Sequence, residues 1–282
     1  MGNTAYMFPG QGSQYKGMGK ELFALFPNET QKASQLLGYD LVEVCVHNPN
    51  DHLHNTAYTQ PAIYFISCLS YLKKTEQQTK NYPDFVLGHS LGEYAALFAS
   101  GVFDLYTGLN LLQKRGALMS KINNGSMMAI IGPNVLTIHQ LLEDNDLPNI
   151  GIANFNSFEQ IVLSGNNHDI IQAKTILERH NYRCITLKVS GAFHSKQMEP
   201  ARVEFMRFLM HFKFNAPKIP VISTTTVSLL EEKYILETLG FQLVKSVKWV
   251  QSILYLQTLA VDTFIELGPG NVLSRLNSHI LK

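Results

Sequence analysis

An excess charge of either sign is missing from this 282-residue chain: 23 Lys and Arg stand against 22 Asp and Glu, a formal net charge of +1. No global field draws it to nucleic acid or to an anionic membrane, and neither is expected as a partner. Cysteine is scarce. Cys45, Cys68 and Cys184 are odd in number and widely spaced, which fits neither a disulfide framework nor paired zinc ligands, so reduced thiols in a cytoplasmic protein are expected. The first residues lack a basic stretch followed by an apolar one, and Tyr6 stands where a myristoylation signal needs Ser or Thr. The longest apolar run, around Pro61 to Leu72, is too short to span a bilayer. Internal repeats and Pro/Ser-rich linkers are also missing. What is present is 45% hydrophobic residues, enough to build one large α/β domain with an insertion, or two ordinary domains.

The chain opens on a short apolar strand, Ala5 to Phe8, followed by a glycine-rich loop, Pro9 to Gln14, and a helix carrying Met18 and Leu22. A helix over Ala62 to Leu72 leads to a buried strand at Phe85 to Leu87, then to an Ala- and Leu-rich helix over Leu91 to Ala99. Asp104 can cap a further helix running to about Lys121. From Met127 to Val189 the pattern becomes strand, helix, strand, strand, helix, strand, the last strand being Arg183 to Val189. That is the ferredoxin-like order. Beyond it, helices are expected at Met198 to Met210, Tyr234 to Val244, Val250 to Leu259 and Val272 to Ile280, with strands at Pro220 to Ser223 and Thr263 to Leu267. The expected architecture is an α/β-hydrolase-like parallel-sheet body (residues 1–125 and 191–282) interrupted by a ferredoxin-like small subdomain (residues 126–190).

Gly88-His89-Ser90-Leu91-Gly92 matches Gly-x-Ser-x-Gly between a strand and a helix, the context of a nucleophile elbow. Ser90 would sit before a helix amino terminus, where backbone N–H groups can meet a developing oxyanion. A helix cap with two packing glycines is the plainer alternative. A second oxyanion donor could be the N–H of Gln11; read instead as a dinucleotide loop, Gly10-x-Gly12 lacks its third glycine, because Tyr15 stands there. Of ten histidines, His194 leaves the end of a strand in the loop Ser190-Gly191-Ala192-Phe193-His194, where catalytic groups of α/β folds collect, although an ordinary surface histidine fits the same spacing. His52 and His54 flank Leu53 without a further ligand cluster, so no metal is expected.

Arg115 interrupts an apolar stripe, with Leu111 and Leu112 one turn before it and Leu118 and Met119 one turn after. A guanidinium on a buried face is costly unless an anion pairs with it, and its planar fork suits a carboxylate. That carboxylate could belong to a substrate or to an internal Asp or Glu; alternatively the side chain snorkels to water.

Together these stretches resemble the malonyl-coenzyme A:acyl carrier protein transacylase family. The likeness runs through Phe8-Pro9-Gly10-Gln11-Gly12-Ser13-Gln14, Thr59-Gln60-Pro61-Ala62, Gly88-His89-Ser90-Leu91-Gly92-Glu93, Arg115-Gly116, Gly191-Ala192-Phe193-His194-Ser195 and Glu266-Leu267-Gly268-Pro269-Gly270, in family order over almost the whole chain. The resemblance implies Ser90 as nucleophile, His194 as its base, the N–H groups of Gln11 and Leu91 as oxyanion hole, and Arg115 as the malonyl carboxylate ligand. It implies a substrate pocket including Gln60, His89, Met119, Asn156 and Phe193, with Asn154 and Asn156 near the thioester or pantetheine arm. Phe193 is of the type seen in malonyl-selective members. A main-chain carbonyl, expected from Lys248, would orient His194 in place of a third acidic side chain. Thr224-Thr225-Thr226 departs from the family, where Asn commonly follows Ser223, and leaves the wall beside His194 open to question. The implied partners are malonyl-CoA and a phosphopantetheinylated acyl carrier protein, met by a monomer without a cofactor, with Lys188, Lys196 and Arg202 as docking cations. The stretches Leu37-Gly38-Tyr39-Asp40 and Ser70-Tyr71-Leu72-Lys73 look closer to free-standing acyltransferases that serve polyketide assembly lines in trans than to fatty acid enzymes. An acyl hydrolase clearing carrier proteins is the rival on the same scaffold, and a nucleotide-binding or purely interacting module the rival from another class.

Overall fold

The computed structural model describes residues 2–76, 82–132, 134–189 and 191–282. Ser190, which opens the His194 loop, lies outside the described residues. Among the described residues, nine strands form two sheets: β1 (Asn3–Phe8), β2 (Phe85–Gly88), β3 (Gly125–Ile131), β4 (Gly151–Ser157), β5 (Gln160–Asn166), β6 (Arg183–Thr186), β7 (Val221–Ser223), β8 (Ser228–Leu229) and β9 (Val261–Glu266). The first sheet has the order β8-β7-β2-β1-β9, parallel except for β8. Side-chain alternation along β1 divides two cores, as a two-residue period requires. Tyr6 and Phe8 join the large cluster beneath the helices Thr56–Glu76 and Leu105–Ser120, whereas Ala5 and Met7 face Trp249, Ile253 and Leu273 on the opposite side.

The second sheet, order β4-β5-β3-β6, is antiparallel throughout and carries the helices Val135–Glu143 and Asn167–Arg179 over a core of its own, the ferredoxin-like arrangement. Its other face, with Met127, Ala129, Ala153 and Val162, packs into the core of the body. The body is therefore a parallel-sheet α/β unit with a small subdomain set against it.

Several boundaries differ from the sequence reading. Helix Thr56–Glu76 begins well before Pro61 and keeps that proline inside. Close packing compensates: Gly116 lies against the backbone of Thr56 and Ala57, an approach that any larger side chain would block. Strand β6 ends at Thr186 rather than Val189; Leu187 N still donates to Met127 O (2.9 Å), after which the chain leaves the sheet. Met18 precedes its helix, which starts at Lys20. Helices Pro27–Leu37 and Leu41–His47 were not anticipated. Asp104 caps its helix as expected, accepting from Thr107 N. Among the described residues, no helix is long and apolar enough to cross a membrane.

The pairing of β1 with β2, Phe8 opposite Gly88, brings the Gln11 and Ser90 loops side by side, and His89 N donates to Phe8 O (3.0 Å). Gly92 is required by that approach, because a Cβ there would overlap the Phe8 carbonyl oxygen. Gly92→Ala should therefore lower the unfolding free energy by about 1–3 kcal/mol, as overpacking against backbone does. Urea unfolding checks this, and unchanged stability would contradict the packing described.

Candidate active site

Ser90 sits on the turn between β2 and the helix Gly92–Ala99 with φ 53°, and His194 has φ 57°. Both are non-glycine residues in left-handed backbone, a conformation that costs energy and concentrates where function fixes it. The Ser90 turn aims its hydroxyl across the cleft, where Oγ lies 2.8 Å from His194 Nε2. On the other side of the ring, Nδ1 lies 2.8 Å from the Gln242 carbonyl and 3.0 Å from the Lys245 carbonyl. Two acceptors at Nδ1 place the proton there, leaving Nε2 free to accept from Ser90. Lys248 is thus not the orienting residue. Its carbonyl accepts from Ser252 N and Ser252 Oγ at the start of the helix Trp249–Thr258, and its N donates to Thr224 O. Burial first, then the Arg115 charge, push the His194 pKa down to about 3, so the ring is neutral in the empty enzyme at ordinary pH.

Neither the Gln11 nor the Leu91 N–H has a hydrogen-bond acceptor among the described residues, and both residues line the cavity beside Ser90. Two unspent donors at the nucleophile, one at the start of a helix, are what an oxyanion hole requires. The cavity measures about 330 Å³, and its wall includes Gln60, His89, Arg115, Met119, Phe193 and His194.

Arg115 is 1% exposed. Its Nη1 donates to Gln60 Oε1 (2.7 Å), and its Nη2 donates to Gln242 Oε1 (3.1 Å) and Ser90 Oγ (3.3 Å). All three acceptors are neutral. Nε has no hydrogen-bond partner among the described residues, and no carboxylate there forms an ion pair with Arg115. Neither an internal ion pair nor snorkelling describes this side chain. Burial lowers its pKa, while Tyr94 and Glu93 act in the opposite sense. A buried guanidinium without a paired anion among the described residues, 3.3 Å from the Ser90 hydroxyl, has the chemistry to accept a carboxylate carried on an acyl group.

The remaining expected residues divide. Asn154 lines the cavity, but Asn156 stands behind it: its Oδ1 is 2.9 Å from His89 Nε2 and its Nδ2 donates to Gln160 Oε1 (2.8 Å). That second bond fixes the amide so that Oδ1 accepts from His89, which burial keeps neutral. Gln60 Nε2 reaches Met119 Sδ (3.3 Å), coupling two wall residues. Of the docking cations, Lys188 lines the mouth, Lys196 is exposed, and Arg202 is already paired with Glu199 and lies over the Phe241 ring. His54, taken for a solvated loop residue, reaches the cavity while paired with Asp51 at 2.7 Å. His52 instead stacks on Tyr58. Among the described residues, no group of three or more His, Cys, Asp or Glu could hold a metal.

Two residues had no assigned part. Gln242 contributes its carbonyl to His194 and its side chain to Arg115. The signal was a polar residue inside the apolar run Leu239-Gly240-Phe241-Gln242-Leu243-Val244. Glu93, fully buried, accepts from Thr224 N (3.2 Å), Thr224 Oγ1 (3.3 Å) and Ser223 Oγ (3.4 Å). Thr224, where the family commonly has Asn, thereby ties the wall after β7 to the nucleophile helix, and Gly88 O lies equally near its Oγ1 (3.3 Å), so the two acceptors share one hydroxyl proton.

Residues 5–282 match the acyl transferase domain family. A polyketide biosynthesis malonyl CoA-acyl carrier protein transacylase of Bacillus subtilis (strain 168) is 46% identical over 279 residues, covering 98% of this chain and 96% of that protein. The crystal structure of malonyl CoA-acyl carrier protein transacylase from Burkholderia pseudomallei superposes with a TM-score of 0.96 at 42% identity, over 100% of this chain and 98% of that one. A malonyl-transacylase solved in complex with its type II PKS acyl-carrier protein gives 0.94 at 31% identity, over 99% and 93%. The chain belongs to the acyl transferase domain family, among the malonyl CoA-acyl carrier protein transacylases.

Proposed function

We propose that this protein moves a malonyl group from malonyl-CoA, through an ester on Ser90, to the phosphopantetheine thiol of an acyl carrier protein in polyketide biosynthesis. It works as a cytoplasmic monomer without a cofactor. The observation that carries the reading is Arg115, buried without an ion-pair partner among the described residues and 3.3 Å from the nucleophile. The polyketide assignment draws on the Bacillus subtilis relative and on the closer likeness to free-standing acyltransferases.

In the first half-reaction the Ser90 oxygen attacks the thioester carbonyl as its proton passes to His194 Nε2. The Gln11 and Leu91 N–H groups receive the oxyanion, and collapse expels the coenzyme A thiolate, which takes the proton from His194. In the second, the carrier thiol gives its proton to His194 and attacks the Ser90 ester; collapse breaks the bond from Ser90 Oγ to the acyl carbon, and Ser90 takes the proton back from His194. Ping-pong kinetics follow. The Gln242 and Lys245 carbonyls hold the imidazole tautomer through both halves and balance the charge it acquires. Because Arg115 is one cause of the low His194 pKa, pairing of Arg115 with the malonyl carboxylate makes His194 a stronger base as substrate arrives. Phe193, buried beside His194 on the cavity wall, disfavours an α-methyl branch. A hydrolase clearing uncharged acyl chains would gain nothing from Arg115.

Intact-protein mass spectrometry with malonyl-CoA should show one malonyl adduct that is lost in Ser90→Ala and moves to added holo carrier protein. Adduct on Ser90→Ala, or release to water instead of carrier, contradicts the proposal. Arg115→Ala should depress malonyl loading by about tenfold to a hundredfold relative to acetyl loading, a single charged hydrogen bond being worth about 1.5–3 kcal/mol. Equal loss with both thioesters removes the carboxylate role. Since kcat/KM reports the free enzyme, it should stay level as pH falls from about 7 to about 5, His194 remaining neutral until near 3. A decline with an apparent pKa of about 6.5, that of an ordinary histidine, contradicts this.

A further inference from the structure

Glu93 is the one charged residue in the helix Gly92–Ala99, and it is 0% exposed. Its backbone N donates to Ser90 O (3.0 Å), so it is fixed to the nucleophile turn, yet it forms no ion pair among the described residues. The charge nearest to it in effect is Arg115, whose pKa it raises. Gln242 lies between the two. Its Oε1 accepts from Arg115 Nη2, while its buried Nε2 has no hydrogen bond of ordinary length and faces the Glu93 carboxylate, whose negative form it favours. The amide dipole is aligned with cation at its oxygen end and anion at its nitrogen end. A direct Glu93–Arg115 pair would neutralise the guanidinium outright; an amide between them balances its charge through a neutral group and leaves Nε without a hydrogen-bond partner among the described residues.

We propose that Glu93 is the buried counter-ion of Arg115, held one amide away through Gln242, and that it takes up one proton from solvent when a substrate carboxylate pairs with Arg115. The inference rests on the carboxylate-binding reading of Arg115 given above. The groups facing Glu93 are Ser223 at the end of β7, Thr224 after it, Gln242, Tyr94 on its own helix and Arg115 on Leu105–Ser120; Arg115 is the only cation among them. Burial pushes the Glu93 carboxyl up to about 7, against the hydrogen bonds from Thr224 and Ser223 and the Gln242 amide that faces it. A malonyl carboxylate on Arg115 cancels the favourable positive field and raises Glu93 further. Binding that raises a pKa is strongest below the free-enzyme pKa and weakens as pH rises above it, by up to about tenfold per unit until the bound-state pKa is passed. Glu93 acts through Gln242 and Arg115 and is a positioning residue, not one that touches substrate.

The test compares malonyl-CoA with acetyl-CoA, so that titration of the shared coenzyme cancels. Calorimetric Kd values are measured on Ser90→Ala, which cannot turn over, from about pH 6 to about pH 9, with and without Glu93→Gln. The ratio of the malonyl to the acetyl Kd should rise several-fold above about pH 7 in Ser90→Ala and stay level when Glu93→Gln is added. In Ser90→Ala alone, titration in buffers of different ionisation enthalpy should detect proton uptake with malonyl-CoA in excess of that with acetyl-CoA near pH 7.5, a result independent of how the double variant folds. A level ratio, a slope that survives Glu93→Gln, or no excess uptake overturns the inference. If instead the wild-type enzyme forms no malonyl ester, the reading of the site fails before this one is reached.

Discussion

A guanidinium with 1% exposure and, among the described residues, no carboxylate paired to it is the constraint on which the rest of this structure depends. Burying a charge is costly by several kcal/mol unless hydrogen bonds and an opposite charge offset it. Here the hydrogen bonds come from Gln60, Gln242 and Ser90, each brought by a different stretch of chain. Helix Thr56–Glu76 must begin before Pro61 to place Gln60, and the segment after helix Ile235–Phe241 must turn inward to place Gln242. The two halves of the chemistry meet at these residues. Gln242 serves the guanidinium with its side chain and the imidazole with its carbonyl, so the proposed carboxylate ligand and the base share one support.

The parallel sheet supplies the remaining geometry. Pairing Phe8 with Gly88 ends two strands at the same level, and the loops that follow carry Gln11 and Ser90. The small subdomain closes the other side. Met127 and Asn154 come from its sheet and Leu187 to Val189 from the chain leaving β6, all lining the cavity. The loop that follows carries His194, whose N donates to Leu243 O (3.1 Å). The base is thus tied to the Gln242–Val244 segment at both its backbone and its ring.

Much of this was legible in the sequence where the information is local. Gly-x-Ser-x-Gly after an apolar strand gave Ser90 a turn, alternation gave the ferredoxin-like order, and an arginine inside a leucine stripe marked Arg115. Spacing alone did not separate His194 from a surface histidine; the family resemblance did. Lys248 was misassigned because a carbonyl acceptor leaves no mark in side-chain identity, and which carbonyl reaches an imidazole depends on the path of the backbone between residues 242 and 248. Glu93 and Gln242 were visible only as polar residues in apolar runs, and their meaning depends on contacts 131 and 127 residues away in sequence. The start of helix Thr56–Glu76 was misread because proline sets a local preference that the packing of Gly116 overrides.

The central claim, that Arg115 awaits the free carboxylate of the acyl group on Ser90, is tested most directly by a crystal structure of the malonyl ester. The account predicts the carboxylate on the Arg115 guanidinium at hydrogen-bond distance, with the ester carbonyl oxygen between the Gln11 and Leu91 N–H groups. A malonyl carboxylate turned to the cavity mouth, with Arg115 still bound only by Gln60, Gln242 and Ser90, would contradict it.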